Sequence, residues 1–173
     1  MSFSIRATIR GLVAPEHRLS CPAKLWAAGL KELGRRGGGR RESGAFLLGM
    51  EERGKRHVSR FVYYDDLDPR CHDTGIVVFD GSGYGPLWQM CRETGLSVVA
   101  DVHSHPGAPI QSGADRTHPM VAVQGHIALI VPEFARRVVQ PRDLGIYEYE
   151  GAHRWRNHSG KKAAKFFYIG IWG

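Results

Sequence analysis

Apolar and polar positions alternate over residues 3–10, with Phe3, Ile5, Ala7 and Ile9 on one side, the period of a half-buried strand. The period then lengthens. Leu25, Trp26, Leu30 and Leu33 recur at helical spacing, and Ser20-Cys21-Pro22 ahead of them reads as a helix start, with a capping serine and a proline near the first turn. Gly34 and the Gly37-Gly38-Gly39 run predict its end. Residues 44–50 and 57–64 read as two strands joined by a charged turn over 51–55, a hairpin. A polar loop over 65–73 leads to a short buried strand at 76–79 and a glycine-rich turn at 80–85. Leu87, Trp88, Met90 and Cys91 predict a helix over 86–93, closed by Gly95. Residues 97–102 form a strand that runs into His103, and 112–123 a loop with a helix start. Further strands are expected at 126–131, 144–149 and, in the tail, 166–172. Strands alternate with helices, but hairpins are present too. That combination predicts an α/β fold, a mixed sheet with helices packed on its faces.

Length and composition narrow the class. A chain of 173 residues fits one domain, 1–173, and buries about two-thirds of its unfolded surface without needing a disulfide. Hydrophobic residues at 42% and charged residues at 24% exclude bulk disorder and fibrous sequences. The longest apolar run, from Ile127 to Val131, has five residues, whereas a membrane span needs about twenty. No membrane partner is expected. The first twenty residues carry no apolar core of a secretory signal, so the cytoplasm is the expected compartment. Cys21, Cys71 and Cys91 are scattered and form no CxxC, against a disulfide framework or a zinc ribbon.

The net charge of +7 is unevenly placed. Residues 31–41 hold five basic side chains against Glu32, residues 135–173 eight against three, and residues 64–101 reverse the balance with seven acidic against two basic. Such a chain could touch nucleic acid, but its aromatics are not interleaved with the basic clusters as base stacking requires. Nucleic acid is therefore disfavoured as a partner.

The chemistry concentrates in Val102-His103-Ser104-His105-Pro106-Gly107, followed by Ser112 and Asp115. Residues two apart on a strand point to the same side, so His103 and His105 can present two imidazoles together. Asp115, ten residues after His105, can return a carboxylate from the following loop. Two histidines and a carboxylate make a three-ligand set, and catalytic zinc sites leave a fourth position for water. An HxH pair by itself also occurs as ordinary surface or core histidines. A general base is missing from this segment, and Glu42, ahead of Gly44-Ala45-Phe46-Leu47-Leu48-Gly49, is either that base or a solvated cap.

The two segments together resemble the JAMM/MPN+ (Mov34/JAB) zinc metalloproteases. Glu42 followed by GAFLLG is similar to the first part of that pattern, and HSHPG at 103–107 with Ser112 and Asp115 to the second. The resemblance is strongest over residues 20–132. Only six residues separate His105 from Ser112, one fewer than the family pattern carries, while the two-residue interval from Ser112 to Asp115 is kept. The resemblance implies a cytidine-deaminase-like α/β fold of the JAB/MPN type. It implies Zn2+ held by His103, His105 and Asp115, with Glu42 taking a proton from the zinc-bound water and giving it to the leaving amine. Ser112 would donate to the developing oxyanion. The implied reaction is cleavage of isopeptide or peptide bonds after the C-terminus of a ubiquitin-like protein, so that such a protein or its conjugates would be the partner. Compact members of this kind resemble those encoded beside bacterial ubiquitin-like conjugation systems, some linked to antiphage defence.

Two rivals share features. A RadC-like DNA-associated protein carries a related HxHP core, and a non-catalytic MPN scaffold would lack one of the four residues, all present here. A zinc nucleoside deaminase would need HxE or CxE with PCxxC, and neither occurs. Asp65, Asp66 and Asp68, in the acidic stretch of a basic chain, are the expected steering groups for a basic substrate tail, with solvated loop residues as the alternative. His57, His72, His126, His153 and His158 read as ordinary surface or sheet residues.

Overall fold

A computed structural model describes residues 16–71 and 81–171. The strands expected at 3–10 and 76–79, with His72, Asp73, Asp80 and Trp172, lie outside the described residues. The elements run β1 Leu19–Pro22, α1 Ala23–Gly37, β2 Gly44–Glu52, β3 Lys55–Tyr63, α2 Tyr64–Leu67, α3 Tyr84–Thr94, β4 Ser97–Ser104, α4 Gly113–Thr117, β5 Ile127–Val131, β6 Gly145–Gly151, β7 Arg154–Asn157, α5 Ala163–Phe166 and β8 Phe167–Gly170.

The described strands form one mixed sheet in the order β7-β6-β5-β4-β2-β3-β1-β8. The hairpin β2–β3 is antiparallel, β2 pairs antiparallel with β4, and β4 lies parallel to β5. Arg18 and Glu148 of β6 form an ion pair at 3.0 Å although four strands separate β6 from β1, so the sheet curls toward closure. Its two faces differ. One packs α1 through Trp26, Leu30 and Leu33 against Ala45, Leu47, Val102, Leu129 and Phe167. The other gathers Phe46, Leu48, Val62, Tyr64 and Leu87 under α3. Alternation along β2 and β4 sends neighbouring side chains to opposite faces, which explains why both strands read as nearly continuous apolar runs.

The expected start of the first helix moves. Ser20 is not its cap: Ser20 lies within β1, its Oγ 2.7 Å from His57 Nδ1, and Pro22 occupies the cap position without a side-chain bond. The parallel partners β3 and β8 hold residues 19–22 extended. The helix also continues through Gly34 and ends at Gly38, whose φ is 59°. The charged turn between β2 and β3, the helix closed by Gly95 and the strands at β5 and β6 fall where the pattern predicts them. The strand β7 was not expected. No helix among the described residues is long and apolar enough to cross a membrane.

Candidate metal centre

The C-terminal end of β4 carries His103 within the strand, with His105 just beyond it. The chain stays extended past β4 because Ser104 N donates to Ser43 O at 2.8 Å and His105 N to Val131 O at 2.9 Å. Ser104 itself is fully buried. Its Oγ accepts from Ser43 N at 3.1 Å, tying the residue between the two histidines to the residue after Glu42. Gly44 pairs with His103 in register. Continuing that antiparallel pairing through Ser43 and Ser104 sets Glu42 beside His105.

The side chains converge accordingly. His103 and His105 are buried, with Nε2 atoms 3.1 Å apart. Asp115 Oδ1 lies 3.5 Å from His103 Nε2 and Oδ2 3.4 Å from His105 Nε2. Glu42 Oε1 is 4.0 Å from His105 Nε2. One potential ligand atom from each of His103, His105 and Asp115 falls within 4.8 Å of the others, the only such three-residue group among the described residues. Two imidazole nitrogens and a carboxylate oxygen suit a borderline-soft dication such as zinc.

Asp115 is delivered by α4. Ser112 caps that helix reciprocally: its Oγ accepts from Asp115 N at 3.1 Å, and its N–H donates to Asp115 Oδ2 at 2.6 Å. The serine expected to face the oxyanion therefore also orients the carboxylate. Trp155 of β7 donates from Nε1 to Arg116 O at 3.2 Å, bracing α4 from the unexpected strand. On the other side, residues 133–135 run through φ values of 55°, 53° and 55°, a left-handed conformation that non-glycine residues rarely hold. From that turn Phe134 N donates to His105 O at 2.8 Å and Glu133 N to Gly107 O at 3.2 Å.

Charge at the site is strongly coupled. Burial opposes a charge on His103, yet Asp101 and Asp115 outweigh it and push the imidazole up to about 10. Against its own burial, Asp115 is held well below the usual carboxylate range by His103 and His105. Asp101 is also lowered, despite full burial, by His103 and His126. A cation bound at Nε2 would take the place of a proton on His103, facing carboxylates that are already ionised.

The acidic stretch behaves differently from a free steering patch. Asp65 and Asp66 both accept from Arg36 Nη1, at 2.6 and 2.7 Å, and that guanidinium also lies 4.1 Å from the Tyr63 ring centroid. Asp68 is 7% exposed and accepts from Arg70 N at 3.0 Å. All three carboxylates have partners inside the chain. Asp101 is 1% exposed, and His126, which reads as an ordinary residue in the sequence, is buried with Nε2 2.6 Å from Asp101 Oδ1. The available signal was the spacing Asp101-x-His103 on one strand.

A family model described as prokaryotic homologs of the JAB domain matches residues 24–144, a span holding Glu42, both histidines, Ser112 and Asp115. A probable metalloprotease of Sinorhizobium fredii is 31% identical over 61 residues, 35% of this chain and 38% of that protein, so the match spans little more than a third of the relative. The solution structure of a Desulfitobacterium hafniense protein has a similar fold, with a TM-score of 0.59 at 16% identity over 87% of this chain and 92% of that one. A solution structure from Salinibacter ruber aligns with a TM-score of 0.48 at 20% identity, over 78% and 82% of the two chains.

Proposed function

The chain belongs to the prokaryotic JAB-domain family, and from that premise we propose that it is a zinc-dependent peptidase that cleaves after the C-terminus of a ubiquitin-like protein. The observation that carries this reading is the convergence of His103, His105 and Asp115 within 4.8 Å, with the Glu42 carboxylate 4.0 Å from His105 Nε2. The kinship with a probable metalloprotease supports it. His103, His105 and Asp115 would hold the ion. When bound, zinc supplies a Lewis acid that polarises the scissile carbonyl and lowers the pKa of coordinated water to about 7.

The remaining work falls to the chain. The Glu42 side chain is largely shielded, 15% exposed, at the rim of the ligand set, where its carboxylate can take a proton from the attacking water. As the carbonyl carbon gains its bond to oxygen, Ser112 can donate to the developing oxyanion, because its Oγ accepts from Asp115 N and keeps its own proton. Glu42 then returns its proton to the leaving amine as the C–N bond breaks. An extended tail is the substrate form that exposes one peptide carbonyl at such a site.

The test is Glu42→Gln, nearly isosteric and unable to take a proton. We expect the variant to keep its zinc and its fold while cleavage of a ubiquitin-like fusion falls by at least about 100-fold. Turnover comparable with the unaltered protein would remove Glu42 as the base.

A further inference from the structure

Asp101 stands two residues before His103 on β4, so the two side chains leave the same face of the strand. It is almost wholly buried. Its Oδ1 accepts from His126 Nε2 at 2.6 Å, and its Oδ2 accepts from Tyr64 Oη at 3.1 Å. The same Oδ2 faces His103 Nδ1 at 3.7 Å, longer than a hydrogen bond, and that buried ring nitrogen has no hydrogen-bond partner among the described residues.

A buried carboxylate is costly unless its lone pairs are used. An ionised one offers about four acceptor positions, and Tyr64 and His126 take two. A neutral imidazole has one N–H. If His103 turns Nε2 to a metal beside His105 and Asp115, its proton must sit on Nδ1 and needs an acceptor there. Asp101 Oδ2 is the acceptor facing that atom. The sequence arranges this from four elements. Tyr64 reaches Asp101 because Gly44 has no side chain: a Cβ there would lie 2.2 Å from Tyr64 Cε2. His126 enters from the residue just ahead of β5.

We propose that Asp101 is a positioning residue of the metal centre: its carboxylate, anchored by Tyr64 and His126, accepts the Nδ1 proton of His103 and thereby fixes Nε2 as the ligand nitrogen. This rests on the reading of His103, His105 and Asp115 as metal ligands. Carboxylate–histidine pairs of this kind raise ligand basicity and set ring orientation, and losing the outer partner costs about 10–100-fold in metal affinity.

The test uses the full chain and zinc itself. In 15N-labelled, zinc-loaded protein, with His103 assigned through His103→Gln, we expect a slowly exchanging proton on Nδ1 and none on Nε2. Folded Asp101→Asn should bind zinc about 10–100-fold more weakly in competition with a chromophoric chelator, and its cobalt form should show an altered visible spectrum. Tyr64→Phe should give a smaller loss in the same direction. An unprotonated His103 Nδ1 in the zinc-loaded native protein, or unchanged zinc affinity in folded Asp101→Asn, would overturn the proposal while leaving the three ligands in place. A native chain that takes up no zinc would overturn the ligand reading, and this proposal with it.

Discussion

His103 is the residue on which the site's electrostatics turn. Its folded value is raised from the ordinary 6.5 to about 10, so near pH 7.5 the metal-free imidazole holds both protons. The stabilisation from that imidazolium is complete below the unfolded value and is lost as pH rises through about 10. A metal taking Nε2 must displace one proton, so zinc affinity rises with pH over the same interval. Calorimetric titration of zinc at pH 7.5, in buffers of differing ionisation enthalpy, is expected to show more than one proton released per ion, one from His103 and a further fraction from the coordinated water, since Asp115 is already ionised. Release of less than one proton would mean that His103 is neutral in the metal-free protein.

Ser112 is the second informative residue, because it serves the helix cap and the proposed oxyanion at once. Ser112→Ala is expected to lower kcat by about 100- to 1,000-fold as an oxyanion donor is lost. It should also weaken zinc binding, because Asp115 loses its cap. Ser112→Thr, which keeps the hydroxyl, should recover the zinc affinity. A variant with full metal affinity and full rate would exclude both roles.

Among the elements, α1 and the left-handed turn at 133–135 are locked together at Gly34. A Cβ at that position would lie 2.7 Å from Ala135 O, a backbone atom. Helix propensity alone says that alanine stabilises a helix over glycine by about 0.5–1 kcal/mol. Here the close approach wins, and Gly34→Ala is expected to destabilise the protein by about 1–3 kcal/mol, read as a lowered denaturation midpoint. Because that turn donates to His105 O, weaker zinc binding should accompany the loss. An unchanged or raised midpoint would show that the turn yields easily. Asp65→Asn/Asp66→Asn should cost at most about 1 kcal/mol, because Arg36 loses two carboxylate partners and keeps Glu32. An unaltered thermal midpoint together with a raised KM for a basic tail would instead place these residues on a substrate surface.

What the sequence made legible at this scale was periodicity and spacing. The apolar runs of β2, β4 and β5 and the HSHPG segment are local signals, and each carries its meaning within a few residues. The features missed depend on distant partners. Ser20 and Pro22 have the composition of a helix start, but β3 and β8, from far along the chain, draw residues 19–22 into the sheet. β7 is four residues with three exposed polar side chains, too short for a periodic signal, and exists because β6 supplies its ladder. His126 looks ordinary until β5 lies parallel to β4 and brings it to Asp101.

At the scale of the whole molecule, the curled sheet places the proposed ligands at one end of β4, where β2 and β5 flank it and α4 returns. The three proposed ligands lie within twelve residues of one another in sequence, yet their alignment draws on β2, β5, α4, β7 and the turn at 133–135. Metal binding and folding should therefore be coupled. With zinc at 100 times its dissociation constant the folded state gains about 2.7 kcal/mol, and for a chain of this size that corresponds to a thermal midpoint about 5–10 °C higher. A chelator should reverse the shift in the unaltered protein and leave a His103→Ala/His105→Ala chain unmoved. The most direct measurement is the zinc content of the purified protein by elemental analysis, set beside that of His103→Ala/His105→Ala. One zinc per chain is expected in the first and none in the second, with Glu42→Gln retaining the full content. Full occupancy in the double-histidine variant would remove both histidines from the metal centre.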